Sequence, residues 1–503
     1  MPLDIKPSEF YEEYSKDRKE FETRAENHAE MTIPYLMRKD GAGSGDSVVF
    51  KRAQSFCGGL VNNLKSKMGL ALLPPSTSSF RFRPDPQGLK DTFGEGESID
   101  KEGLENMYSA LSANTEDINS EIEVQQVRPS LFQIIDQLLV VGSVVAEKVE
   151  EEGLLLHTLK SFAVKLDRNG NPLGICVVED LYKEDLPEGV EPRDEKQKEF
   201  KLYTLVHVNE EGKWERIQEL EGELVGEEAT YADYISCPFR YLGWKWVSGD
   251  KYHRPYVEDY FDDMEQLNKL AELLTRGSLA AAKVLFLVDE SIGRTDKDDV
   301  ANAPTGAYRY GKADDVTVVQ ANKNYDFQAP AEREASLKRE LAKMFLSTES
   351  TTRNAERVTA YEVQIMAREL EESTLGGIYS SMALHFSKWL VHQIMEEKGI
   401  KFENIEPEIL TGLDALGRSQ EAQKLDGYVT RMTQLGLTDY LIEEELAQRY
   451  ASYDGINTEN LVRKKKEVDE IRKGRQEAQA KAAMDESVAG ATGDIVKNAA
   501  TGQ

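Results

Sequence analysis

ERVTAYEVQIMARELEESTLGGIYSSM, residues 356–382, lies in the longest helical stretch of the sequence and decides its architecture. The pattern predicts one long helix from about Thr359 to Glu397, spanning roughly 57 Å at the usual rise per residue. Gly376 and Gly377 lie in its middle and mark an expected hinge. Immediately upstream, STESTTRN (347–354) holds almost no apolar residue and breaks the preceding helix. That helix is expected to open at Pro330, with Leu337, Leu341 and Met344 in register. Further upstream, KVLFLVDE, AYRYG and VTVVQ read as short strands of a small unit over 278–330. Before them comes YVEDYFDDMEQLNKLAELLTRG (256–277), with Tyr256, Tyr260, Met264, Leu267, Leu270 and Leu274 on one side and Gly277 as the expected stop. The result is a helix, a small unit, a second helix, a polar break and a very long helix.

The N-terminal half has a different character. Residues 8–39 read as helix, followed by the loop GAGSGD at 41–46. A second helix, about Val49 to Leu73, places Phe56, Leu60, Leu64, Met68 and Leu72 four apart in one stripe, and Pro74-Pro75 stops it. Leu104–Ala113 reads as a solvated helix. Pro129–Ala146 reads as helix and then strand. From Leu154 the period becomes two: SFAVKL (161–166), the turn DRNG and PLGICVVED (172–180) read as a hairpin. KLYTLVHVN, KWERIQEL and FRYLGWKWV add strands. Beyond about 408 the chain is helical and polar. RKKKEVDEIRKGRQEAQAK (463–481) is charged all round, and the last 20 or so residues are expected to lack fixed structure.

Charge excludes several classes. The 503 residues carry a net charge of −29, which argues against a surface that grips nucleic acid or anionic lipid. The acidity is concentrated. Residues 85–126 hold 11 acids and 2 bases, and residues 179–233 hold 18 acids and 7 bases. Residues 331–395, with 9 acids and 8 bases, are nearly neutral, as are residues 278–330, with 8 and 6. Cys57, Cys176 and Cys237 have no paired spacing, which fits a reducing compartment rather than a disulfide scaffold or zinc ribbon. The N-terminus MPLDIKPSEFYEEY is no signal peptide, and the apolar run LLVVGSVVA (138–146) is too short to span a bilayer. The sequence reads as soluble and cytosolic in origin.

No catalytic constellation emerges. Gly306 to Lys312 has the GxxxxGK spacing of a phosphate-binding loop. The next residue is Ala313 rather than Ser or Thr, and a strand-like segment follows where a helix should. A loop between two strands explains it better. His385 and His392 share a helix face with Glu396 nearby, but no metal-binding spacing accompanies them. DRNGN resembles the start of a calcium loop, with Pro172 where the glycine belongs. The expectation is no enzyme, no metal and no cofactor. The alternatives are a nucleotide hydrolase using 306–312, or a generic acidic scaffold.

Four ordered segments then carry a resemblance. FETRAENHAEMTIPYL (21–36), GLVNNLKSKMGLALLPP (59–75), ERVTAYEVQIMARELEESTLGGIYSSM (356–382) and TGLDALGRSQEAQKLD (411–426) are similar to the portal, or head-to-tail connector, of short-tailed podovirus-type phages. YHRPYVEDYFDDMEQLNKL (252–270) resembles that family's first stem helix more loosely. The similarity runs from about residue 8 to about 460. The acidic stretches and the segment after 460 depart from it.

The resemblance implies a helix-rich α+β portal fold assembling as a ring, in the virion a dodecamer, at one capsid vertex. It implies a wing (1–255), a stem helix (256–277), a clip (278–330) and a second stem helix (331–346). A tunnel loop (347–357), a long helix across the wing (358–407), a crown (408–482) and a flexible tail (483–503) follow. The implied DNA-facing residues are Ser347, Thr348, Ser350, Thr351, Thr352, Arg353, Asn354 and Arg357. Glu349, Glu356 and Glu362 are close enough in sequence to pair with the two arginines instead. Tyr260, Met264, Leu267 and Leu341 are expected at the stem interface between subunits rather than in a monomer core. The implied partners are further copies of the chain, double-stranded DNA in the channel, terminase large subunit, tail adaptor, and major capsid and scaffolding proteins, with internal core proteins at the crown and no membrane. The implied place is the virion's head–tail junction, after assembly in the host cytoplasm, and initiation of capsid assembly is part of the expected role.

Overall fold

The computed structural model describes residues 5–37, 52–74, 78–84, 101–186, 198–281, 284–288, 316–320, 324–347, 360–373, 375–400, 405–409, 425–437, 440–441, 446–447, 450, 468 and 471–475. The chain is a helix-rich α+β protein with antiparallel sheets. It divides into two compact units: Met1–Pro75 with Glu121–Lys401, and Ser76–Ser120 with Phe402–Gln503.

The first unit opens with α1 (Pro7–Ser15) and α2 (Lys19–Met31), joined by a single 3-10 turn. Proline sits at the first position of α1, where its missing N–H costs nothing. The buried Glu219 carboxylate accepts hydrogen bonds from the Ser8 N–H at 2.9 Å and the Ser8 hydroxyl at 2.7 Å, placing negative charge at the helix start. Helix α3 (Phe56–Leu72) buries Leu60, Leu64, Met68 and Leu72 of the expected stripe.

Helix α4 (Lys101–Val124) is longer than its sequence suggests and is one-sided rather than solvated, with Leu111, Ile118 and Ile122 buried. Helix α5 (Val127–Val140) packs on α3 and ends just before Gly142. Gly142 takes φ +99°, its N–H reaches the Gln137 carbonyl, and a Cβ there would lie 2.6 Å from the His253 carbonyl oxygen. This residue turns the apolar run 138–146 from helix into strand. Gly142→Ala is therefore expected to destabilise the protein by roughly 2–4 kcal/mol, combining left-handed strain with a backbone clash. Thermal unfolding of the variant checks this.

Strands β2 (Ser143–Val149), β3 (Gly153–His157) and β9 (Phe239–Gly243) form an antiparallel sheet ordered β3-β2-β9. Strands β4 (Phe162–Leu166), β5 (Pro172–Tyr182), β6 (Glu199–Val208), β7 (Trp214–Leu220) and β8 (Glu223–Tyr231) form a second, in sequence order. The expected hairpin pairs as read, with Ala163 opposite Cys176. Asp167 Oδ1 accepts the Asn169 and Asn171 N–H groups, so DRNG is a side-chain-bonded turn. Cys176 and Leu205 face each other across β5 and β6 and pack under Phe10 of α1.

Helix α6 (Phe261–Ala281) runs on through Gly277 instead of stopping there. A Cβ at Gly277 would lie 2.2 Å from the Phe327 ring, so this glycine lets the next helix approach. Strands β10 (Val284–Val288) and β11 (Val316–Gln320) pair antiparallel, Val284 opposite Gln320. Helix α7 (Asn324–Met344) starts ahead of Pro330, which lies inside it, and packs on α6.

The long helix is segmented. Helix α8 (Ala360–Glu372) gives way at Ser373, and Gly376 and Gly377 open α9 (Gly376–Met382). A five-residue π turn, Ala383–Ser387, then leads into α10 (Lys388–Glu397). The buried Trp389 of α10 donates its indole N–H to the Cys237 carbonyl at 2.9 Å.

In the second unit, β1 (Phe80–Pro84) pairs antiparallel with β12 (Ile405–Ile409), Phe80 opposite Ile409. Phe80 and Phe82 meet edge to face at 5.6 Å. Residues 425–434 are helical. The tail, 483–503, lies outside the described residues.

Candidate functional site

The polar break begins where α7 ends, and the close of that helix is unusually complete. A helix terminus normally leaves its last carbonyls unpaired. Here the Phe345 N–H bonds the Leu341 carbonyl, the Ser347 N–H bonds the Ala342 carbonyl at 2.7 Å, and the Leu346 N–H bonds the Lys343 carbonyl. Leu346 adopts φ +50°, the left-handed conformation that closes such a turn and that glycine usually supplies. The Tyr256 hydroxyl donates to the Met344 carbonyl at 2.8 Å. Asn63 of α3 donates to the Phe345 and Leu346 carbonyls, and Lys67, one turn further along α3, donates to Leu346 at 2.6 Å. Phe345 is fully buried against the Tyr256 and Tyr260 rings at 5.0 and 5.7 Å.

Lys67 is only 3% exposed, and its ammonium also meets Glu369 of α8 at 2.7 Å. A buried ammonium needs such partners. The sequence does not flag it, because a lysine in an amphipathic helix ordinarily reads as solvated. Ser347 is half-buried at the start of the break. Thr348, Ser350, Thr351, Thr352, Arg353, Asn354 and Arg357 lie outside the described residues, as do Glu349 and Glu356.

The stem residues require a correction. Met264 and Leu267 are fully buried and Leu341 is 1% exposed within the single chain. Helices α6 and α7 pack on each other, and these side chains are covered within one chain without a neighbouring subunit. Tyr260 is half-buried against Phe345. The apolar side chains that α6 leaves exposed are Leu273 and Leu279.

The other candidates resolve into structural roles. Gly306–Lys312 lies outside the described residues, but it falls between two paired strands, and β11 follows where a phosphate-binding loop would open a helix. His385 Nδ1 lies 3.4 Å from an Arg240 nitrogen, and burial together with that cation lowers its pKa, a poor setting for a metal ligand. His392 approaches Glu396 at 3.9 Å. The three cysteines are buried and unpaired, with burial pushing Cys57 and Cys237 up to about 12, so neither is poised as a nucleophile.

One group has no sequence signature, because three strands bring it together. Glu147, His157 and Glu179 each place one ligand atom within 4.8 Å of the others. His157 Nε2 is 2.8 Å from Glu147, and the imidazole stacks on Phe239. Burial, then the Glu147 charge, raises the Glu179 carboxyl, against the pull of His157.

Comparison with known proteins decides the family. The sequence profile of the family described as "Bacteriophage head to tail connecting protein" matches residues 7–462. The chain belongs to this family. The portal protein of Escherichia phage T7 is 31% identical over 480 residues, covering 90% of this chain and 87% of that protein. The portal protein of Enterobacteria phage T3 is 30% identical over 477 residues, with the same coverage. Among solved structures, the neck of an empty GTA particle has 13% identity and a TM-score of 0.37, covering 79% of this chain and 97% of that one. The role that follows for this connector protein is that of a phage portal, a structural part of the head-to-tail junction. Among the described residues no helix is long and apolar enough to cross a membrane.

Proposed function

We propose that this connector protein forms a ring, a dodecamer on the family pattern, at one capsid vertex, and that its channel passes double-stranded DNA. DNA enters driven by terminase large subunit and leaves through the tail after a tail adaptor has docked. Capsid and scaffolding proteins meet the outer ring, and internal core proteins meet the crown. The observation that carries this reading is the family match across residues 7–462, which takes in the stem, clip, tunnel-loop and long-helix segments and the first part of the crown.

In this reading α6 and α7 are the stem, and β10 with β11 belongs to the clip that faces terminase and then the adaptor. Residues 347–357 are the tunnel loop at the narrowest point, α8 to α10 cross the wing, and the second unit contributes the crown. Charge supports the assignment. Each Lys or Arg on a phosphate releases counterions and adds affinity, and a ring multiplies every contact by the number of subunits. A conduit must release DNA, and residues 331–395 are close to neutral while the acid lies in 85–126 and 179–233. Two arginines in the loop, Arg353 and Arg357, suffice to guide DNA without stalling it.

The test is the double variant Arg353→Ala with Arg357→Ala, scored in assembled particles. Rings are expected to form normally, while packaged or retained DNA falls by roughly tenfold or more, as loss of ring-multiplied phosphate contacts predicts. Unchanged DNA content would remove the arginines from the channel. Failure to form rings would place them in structural ion pairs.

A further inference from the structure

We propose that Glu147, His157 and Glu179 bind one divalent transition-metal ion of the zinc class, and that the ion pins the three-stranded sheet to the five-stranded one. The site is independent of the channel and adds a ligand that the connector role does not itself call for.

Strand register brings the three residues together. In the β2–β3 pair Val145 stands opposite His157 and Glu147 opposite Leu155, so Glu147 and His157 are diagonal neighbours on one face. Glu147 also stands opposite Phe239 of β9. The His157 ring stacks on that phenyl group with centroids 6.3 Å apart, which fixes the plane of the imidazole. Glu179 comes from the other sheet. It lies three residues beyond Cys176 on β5, and so on the opposite face of the strand. Phe10 of α1 covers the Cys176 face, which leaves the Glu179 face to meet β2 and β3. One ligand atom from each of the three residues lies within 4.8 Å of the others.

The surroundings leave the group short of positive charge. His157 is 4% exposed, and its Nε2 is 2.8 Å from a Glu147 oxygen. Glu147 and Glu179 are both half-buried. Carboxylates removed from water need a partner. Elsewhere in the same unit they have one: Glu26 meets Lys160, Asp136 meets Lys65 and Glu397 meets Lys148, each at 2.9 Å. Among the described residues neither Glu147 nor Glu179 has a lysine or arginine within ion-pair distance. One imidazole brings at most one positive charge to two carboxylates. A divalent ion matches both and takes the imidazole as a neutral ligand.

The geometry and donor set select the ion. Bonds of about 2.1 Å, at angles from about 90° to tetrahedral, hold neighbouring donors about 3.0–3.4 Å apart. The His157–Glu147 pair stands near the lower figure, and the 4.8 Å limit leaves Glu179 a movement that one side-chain rotamer supplies. One nitrogen with two carboxylate oxygens suits Zn2+ and its first-row neighbours, whereas Mg2+ and Ca2+ favour shells made of oxygen alone. Water completes the coordination. A plain His157–Glu147 hydrogen bond has no use for Glu179, so Glu179 separates the two readings.

The test uses full-length protein stripped with EDTA and titrated with Zn2+ by calorimetry, with melting temperatures measured with and without the ion. Wild type is expected to bind one Zn2+ per chain tightly, apart from weak uptake on the acidic surface, and to melt higher when loaded. Glu179→Gln spares the His157–Glu147 pair. It and His157→Gln should each weaken the tight site by roughly tenfold or more and lose the Zn2+-dependent rise in melting temperature. Glu211→Gln, which alters an exposed acid elsewhere, should behave as wild type. Mg2+ at the same concentration should not reproduce the rise. If His157→Gln does not fold, Glu179→Gln decides alone, since its half-buried side chain keeps its shape. Equal Zn2+ binding by wild type and Glu179→Gln, or a Mg2+ effect equal to that of Zn2+, means an adventitious ion only and overturns the proposal.

Discussion

Glu397→Ala is expected to lower stability by about 3 kcal/mol or more, the usual cost of leaving a buried charge without its partner. Glu397 ends α10, and its carboxylate serves three donors. The Lys148 ammonium, 4% exposed, lies 2.9 Å away. The Gln125 side-chain amide donates at 3.0 Å, and the Glu151 backbone N–H donates at 2.7 Å. One side chain thus fastens the end of the segmented helix to β2, to the β2–β3 turn and to the junction of α4 with α5. Removing it strands Lys148, whose other contact is the Val149 carbonyl at 2.8 Å. Glu397→Gln keeps an acceptor but not the charge and should fall between wild type and alanine. Chemical denaturation of the three proteins checks the order, and exchange over 388–397 checks the location. A midpoint for Glu397→Ala equal to that of wild type would show that the hub holds nothing.

Acid is expected to produce the second large effect. Burial pushes the imidazoles of His28 and His253 down to about 4. At His28, which lies edge-on to Phe261 at 4.9 Å, Arg24 adds to the depression and Glu258 opposes it. At His253 the ring stands against Tyr241 and Trp246, with the Tyr241 hydroxyl 3.0 Å from Nδ1. Both groups are neutral when folded at pH 7. Below about 6.5 the unfolded chain takes up protons that the folded chain refuses until about pH 4. Stability is therefore full above 6.5 and declines as pH falls towards 4, by roughly 3 kcal/mol for each histidine once below that value. Glu397 adds to the same trend: burial alone would raise its carboxyl, but the bonds from Gln125, Lys148 and Glu151 hold it lower, so its contribution disappears on acidification. Melting temperatures at pH 7.5, 6, 5 and 4 measure the decline, and His28→Gln with His253→Gln should flatten it. A melting temperature unchanged between pH 6.5 and 4.5 contradicts the account.

Local patterns were legible in the sequence, and long-range partners were not. The α3 stripe, the hairpin around DRNG and the break in the long helix all follow from spacing and turn chemistry within about 20 residues. Helix limits failed where a neighbour overrode the local signal. Gly277 reads as a stop, but it is a point of close approach to Phe327. Pro330 reads as a start, but the helix begins six residues earlier. The α6 stripe was legible as apolar, but its cover was not: Met264 and Leu267 are buried within the one chain, and α7, some 70 residues on, is among the elements that pack on their helix. The polar break was visible as the candidate site. Its anchor was not, because Lys67 and Glu369 are separated by 302 residues and look like ordinary solvated charges. The Glu147–His157–Glu179 group likewise exists only once three strands have assembled.

The measurement that bears most directly on the central claim is a cryo-electron microscopy reconstruction of the purified full-length protein. The account predicts closed rings, twelvefold on the family pattern, with an open central channel narrowest at residues 347–357. Monomers, open chains, or rings whose constriction is lined by other residues would contradict it.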